Sequence, residues 1–101
     1  MNIAKLMKQA QQMQAEAQKI QAAMAKKEYE AASGGGAVKA VASGEGSLLR
    51  LKIDPALLKD GDAEMVEDLV LTAVREAIDQ GRKDAQAAMG KLTGGMGLPG
   101  F

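Results

Sequence analysis

The chain contains no cysteine, no histidine and no tryptophan, and its 101 residues include one Tyr, one Phe and two Pro. Without Cys or His, thiolate nucleophiles, imidazole bases and the usual zinc ligands are excluded, which leaves carboxylates, Lys, Tyr and hydroxyls for any chemistry. The scarcity of rings also limits the core. Its apolar share of 47% rests on Ala, Val, Leu and seven Met, and small or flexible side chains bury less area per residue than rings do. A single domain of this size is marginal alone, so self-association is expected. No run approaches the roughly 18 apolar residues of a membrane span, and the opening MNIAKLMKQAQQ is too polar for a signal peptide. The expectation is a soluble cytoplasmic protein.

Net charge is also lacking, because 13 basic and 13 acidic residues cancel. The cancellation is global and not local. Residues 1–27 carry five Lys against Glu16, a side-chain charge of +4, and residues 54–68 carry six acids against Lys59, or −5. A basic arm and an acidic shoulder share one chain.

What is present in the first segment is a seam. Ile3, Leu6, Ala10, Met13, Ala17, Ile20 and Met24 recur at alternating spacings of 3 and 4, which predicts an amphipathic helix with a heptad stripe. Gln, Lys, Glu and Ala fill the other positions, and no Gly or Pro intervenes before Gly34. A helix over residues 3–27 is about 37 Å long, whereas a compact chain of this size has a radius of gyration of about 13 Å. The helix is therefore expected to project, with a seam that needs a partner.

From Tyr29 the period shortens. YEAAS, AVKAVAS and SLLRLKI read as three strands bounded by glycine clusters. In the third, Leu49, Leu51 and Ile53 alternate with Arg50 and Lys52, which predicts one covered and one wetter face. Pro55 opens a short helical turn after Asp54, Gly61 breaks it, and Asp62 caps a helix with Val66, Leu69, Val70, Ala73, Val74, Ala77, Ile78, Ala85, Ala88 and Leu92 on its apolar face. Gly81 inside that helix marks a close packing site or a bend. The expected organisation is one domain, 1–101: a projecting helix (1–27), a sheet (28–54), a helix (62–90) and a flexible glycine-rich tail (91–101).

The stretch SGGGAVKAVASGEGS holds five of the twelve glycines and invites a phosphate-loop reading. A P-loop requires G-x-x-x-x-G-K-[ST], but Ala40 follows Lys39 here. A dinucleotide fingerprint after Gly44 and Gly46 requires glycine at 49, where Leu49 stands. Both patterns fail, and the glycines are read as positive-φ turn residues. Asp60, Asp62 and Glu64 resemble the start of a calcium loop, but Met65 and Leu71 occupy the positions that need Gly and Glu. Nothing surrounds any two carboxylates with an apolar aromatic pocket. No enzyme activity, metal, cofactor or small-molecule substrate is expected.

The lysines of the first helix are more informative. At about 100° per residue the seam spans about 200° to 300° on the helical wheel, while Lys5, Lys8, Lys19 and Lys26 fall between about 80° and 140°. Only Glu16 lies near them, so the stripe reads as a phosphate-facing surface. On the last helix Arg75 and Arg82 share an outer face with Lys83 nearby, interleaved by Glu76, Asp79 and Asp84. With no aromatics beside these bases, stacking on unpaired nucleotides is unsupported, and duplex backbone contact with low sequence specificity fits better.

The order of the Lys/Gln/Met-rich helix, SGGGAVKAVASGEG, LKIDPALL, EMVEDLVLTAVREA and MGKLTGGMGLPGF resembles the YbaB/EbfC family of bacterial nucleoid-associated proteins across essentially the whole chain. The resemblance implies an α+β, α-β-β-β-α subunit with an antiparallel three-stranded sheet between long N- and C-terminal helices. It further implies a homodimer built through sheet and helices, arms that grip double-stranded DNA, and a role in nucleoid organisation and gene expression. Family DNA binding is attributed to the outer parts of the first and last helices, here Lys5, Lys8, Lys19, Lys26, Arg75, Arg82 and Lys83. The sequence departs from the family at Ala40 and Ala42, where bulkier strand formers are usual, and at Glu45, in a turn that is often basic. Two other readings compete: an adaptor whose heptad seam docks on a partner's helix, and a membrane-surface helix, which lacks the Trp or Phe that buries into lipid.

Overall fold

A computed structural model describes residues 2–59 and 62–95. The elements run α1 (Ile3–Lys26), β1 (Glu28–Ser33), β2 (Val38–Ser43), β3 (Leu48–Ile53), α2 (Pro55–Lys59) and α3 (Ala63–Gly95). This is the α+β order that the periodicities predict. Asn2 caps α1, its side-chain oxygen accepting from the Lys5 N–H at 3.2 Å, which satisfies one of the helix's orphan donors. The helix ends where Lys27 turns extended, at φ −75° and ψ 144°, and the chain enters β1 directly.

The strands form one antiparallel sheet in the order β1-β2-β3. Gly34, Gly35 and Gly36, at φ 60°, 68° and 96°, make the tight connection between β1 and β2, and Gly46 at φ 95° serves the β2–β3 turn. Only glycine adopts such conformations freely. Between β2 and β3 the register slips at Val41/Ala42, so that Ala42 faces Leu48 while Val41 faces Arg50. Leu49 is the extra residue of this bulge, and Leu48, which strict alternation sets on the opposite face, shares the face of Leu51.

α3 lies across β1 and β2 and reaches β3 only at its margin. The core beneath it is Ala31, Val38, Ala40 and Ala42 from the sheet against Ala73 and Ala77 from the helix. Here the small residues at 40 and 42 find their reason. Both are fully buried, and alanine facing alanine lets the helix settle close to the sheet, where a bulky strand former would overpack. Asp62 caps α3 as expected and Asp54 caps α2 in the same way: their carboxylates accept from the N–H groups of Met65 and Ala56, each at 3.0 Å. Gly61, the expected breaker, lies outside the described residues.

Gly81 is a packing site. A Cβ there would stand 2.8 Å from the Ser43 carbonyl oxygen, 3.1 Å from Gly44 Cα and 3.3 Å from the Tyr29 ring. Gly44 is equally pressed, since its Cβ would stand 2.8 Å from the Met24 carbonyl oxygen, to which its own N–H donates at 2.9 Å. α1, the end of β2 and α3 thus meet backbone to backbone at one junction.

Beyond this junction both long helices leave the sheet. α3 continues to Gly95, so residues 91–95 are helical where a tail was expected. Ala88, Met89 and Leu92 remain half-buried, and their packing outweighs the poor helix propensity of Gly90 and Gly94. Residues 96–101, the rest of the expected tail, lie outside the described residues. The Cα radius of gyration is 19.4 Å and the extents are 69 × 24 × 16 Å, well beyond the compact value of about 13 Å.

Candidate nucleic-acid interface

α1 arrives at the sheet as α3 departs, and the two helices run alongside each other. The seam divides in two. Met24 is buried and Met13, Ala17 and Ile20 are half-buried, whereas toward the N-terminus Ile3, Leu6 and Met7 remain 69%, 48% and 58% exposed. The apolar side of the inner half is therefore turned toward α3, which fixes the direction of the opposite side.

That opposite side carries the lysines. Lys5, Lys8, Lys19 and Lys26 are all exposed and sit on average about 150° around the helix from the seam. Lys19 is held by Glu16 at 3.4 Å, with both side chains more than half exposed, an ion pair that contributes little in solvent. The other three have no carboxylate within ion-pairing distance among the described residues.

The basic residues of α3 do not merge with this stripe. Arg75 and Arg82, exposed and seven residues apart, lie about 20° from each other around the helix. The Arg82 side chain reaches the β2–β3 turn, its Nε 3.9 Å from where a Cβ on Gly46 would lie. Lys83 projects about 170° around α3 from the residues that face α1. The α1 lysines and Lys83 thus look outward on opposite sides of the helix pair, and one subunit offers two basic faces instead of a single patch.

At the base of the pair lies a cluster that sequence reading missed. Tyr29, on the α3 side of β1, donates its hydroxyl to Asp84 of α3, and Lys27, the residue closing α1, donates to the same oxygen at 3.0 Å. The Met24 sulfur lies 3.7 Å from the Tyr29 hydroxyl. The Tyr29 hydroxyl and then the Lys27 ammonium hold the Asp84 carboxyl below its ordinary value; the hydrogen bond to Asp84 raises both Lys27 and Tyr29. Partners 55 and 57 residues apart leave no local signal, so only the fold reveals them. A second pair closes the outer sheet face, where Arg50 of β3 forks onto Glu28 of β1 and lowers the Glu28 carboxyl.

A subunit that carries paired helices beyond its sheet, with cations on their outer sides, defines a binding protein that presents charge on a projecting arm. The chain belongs to the YbaB/EbfC DNA-binding family, whose model matches residues 1–96. It is similar to a nucleoid-associated protein of Thermoanaerobacter sp. (strain X514), 46% identical over 99% of this chain and 90% of the relative. A nucleoid-associated protein of Clostridium novyi (strain NT) is 43% identical over 100% and 89% of the two chains. Among solved structures, an uncharacterized protein of Helicobacter pylori shares the fold at a TM-score of 0.67 and 23% identity, over 77% of this chain and 90% of that one.

Proposed function

We propose that the protein is a non-enzymatic, homodimeric DNA-binding protein of the cytoplasmic nucleoid, which holds double-stranded DNA with low sequence specificity and thereby organises the nucleoid and influences gene expression. The observation that carries the reading is the exposed stripe of Lys5, Lys8, Lys19 and Lys26 on a helix whose opposite side is, in its inner half, turned toward α3. Ammonium groups on flexible stems suit phosphates and carry little information about bases. Arg75, Arg82 and Lys83 supply the second basic face. Family membership and the names of the relatives point the same way.

The homodimer is supported by β3. It is an edge strand, and Leu48, Leu49 and Leu51 are 45%, 44% and 42% exposed in the single chain. An unpaired edge lined with leucines is a liability in a monomer and a natural seat for a second copy. Two subunits joined there would set their arms at a fixed spacing.

The test is binding to several unrelated duplexes at low and moderate salt, with light scattering on the free protein. The account expects dimers, comparable affinity for all duplexes, and a steep loss as salt rises through counterion rebinding. A second reading, an adaptor docking on a partner helix, is favoured by the exposure of Ile3, Leu6 and Met7. It predicts no duplex binding at either salt concentration.

A further inference from the structure

Among the described residues the outer half of α1 is only partly covered, with Ile3, Leu6 and Met7 69%, 48% and 58% exposed. Its course is set from the base. The buried or half-buried apolar side chains there are Met13, Ala17, Ile20 and Met24 of α1 and Ala85, Ala88, Met89 and Leu92 of α3, most of them small or unbranched, and such side chains adapt to rotation at modest cost. The backbone junction at Gly44 and Gly81 seats the end of α1, and a polar, triangulated contact adds direction to it. Tyr29 of β1 and Lys27 at the end of α1 converge on one oxygen of Asp84 in α3, while the ring of Tyr29 lies against the open side of Gly81.

The geometry points to Tyr29, Asp84 and Lys27 as a positioning latch that fixes the angle of α1 against α3 and so decides where the lysine stripe stands. This rests, for its consequence in DNA binding, on the function proposed above. The leverage is considerable: α1 extends about 34 Å from Lys26 to Ile3, so a rotation of about 10° at the base moves its tip by about 6 Å. That displacement is comparable to the reach of a lysine side chain. None of the three residues belongs to the stripe. Their effect is on the fraction of time in which the stripe matches the phosphates, and apparent affinity falls by that fraction.

The test exploits the absence of cysteine. Spin labels at Gln9→Cys on α1 and Glu76→Cys on α3, both exposed positions, report the angle as an intrachain distance when labelled protein is diluted into unlabelled protein. Tyr29→Phe removes the hydroxyl, keeps the ring over Gly81 and leaves the charge unchanged. Asp84→Asn removes the charge of the acceptor. Both variants are expected to stay helical by circular dichroism and to broaden or shift the distance distribution relative to wild type. Tyr29→Phe is further expected to weaken duplex binding about three- to tenfold with the salt slope unchanged, because no phosphate contact is removed. An unaltered distribution in folded Tyr29→Phe overturns the latch, and so does a broadened distribution with wild-type affinity. Wild-type protein that binds no duplex instead defeats the functional reading, while the distances, measured without DNA, still decide whether the three residues set the angle.

Discussion

The same substitution at two glycines of α3 is predicted to act with opposite sign. Gly81→Ala places a methyl 2.8 Å from the Ser43 carbonyl oxygen and 3.1 Å from Gly44 Cα. Both obstacles are backbone, so neither rotates away, and overpacking of this kind costs about 1–3 kcal/mol. Helix propensity gives back up to about 1 kcal/mol, and the net is a loss of about 1–2 kcal/mol if the junction yields partly. Gly90→Ala, nine residues on, meets nothing within 4 Å and keeps the propensity term, a gain of about 0.5–1 kcal/mol. Urea unfolding followed by helical circular dichroism at one fixed protein concentration measures both, since the stability of the proposed dimer depends on concentration. Gly81→Ala as stable as Gly90→Ala would refute the backbone contact at the junction and with it the account of how the arms are seated.

Leu51→Glu is expected to convert the proposed dimer to monomer in light scattering while preserving helical content, because Leu51 is 42% exposed within one chain and outside the alanine core; a persisting dimer would move the proposed interface away from β3. Acid is expected to loosen the base of the arms. Asp84 has its folded value depressed, so its contribution is complete above the ordinary carboxylate range and is lost as pH falls through the folded value. Unfolding midpoints should therefore drop on acidification below about pH 4, and by less in Asp84→Asn than in wild type; equal drops would show that the carboxylate contributes nothing. Ala77→Leu is expected to destabilise by about 1–3 kcal/mol, because the larger side chain has no space between α3 and the fully buried Ala40 and Ala42; wild-type urea stability would contradict the close seating of helix on sheet.

The elements were legible where a period was long and unbroken. The seven-residue rhythm of α1, Pro55 at the start of α2 and the capping Asp62 of α3 marked those helices with their starts, and the glycine clusters marked the turns. The end of α3 falls later than the glycines suggest: Leu92 already continues the apolar face, but Gly90 and Gly94 read as breakers, and the half-burial of Met89 and Leu92 that outweighs them is tertiary information. The bulge at Leu49 escaped for a related reason: alternation fixes faces only if the register is unbroken, and the slip belongs to the pairing with β2. Of the candidate site, the phase of the lysines could be computed from their spacing. The separation of Lys83 from them could not, since it depends on which side of α3 faces α1. Tyr29 and Asp84 carried no signal at all in one dimension.

The central claim is that lysines aimed outward from α1 neutralise DNA phosphates. Its most direct test is the slope of log affinity against log salt for wild type and for the variant in which Lys5, Lys8, Lys19 and Lys26 are all replaced by Gln. Each lost phosphate contact flattens the slope by about 0.9 on duplex DNA, so the variant should be flatter by about 3–4 units per engaged arm, weaker on every sequence and unchanged in helix content. An equal slope and affinity for the two proteins would contradict the account.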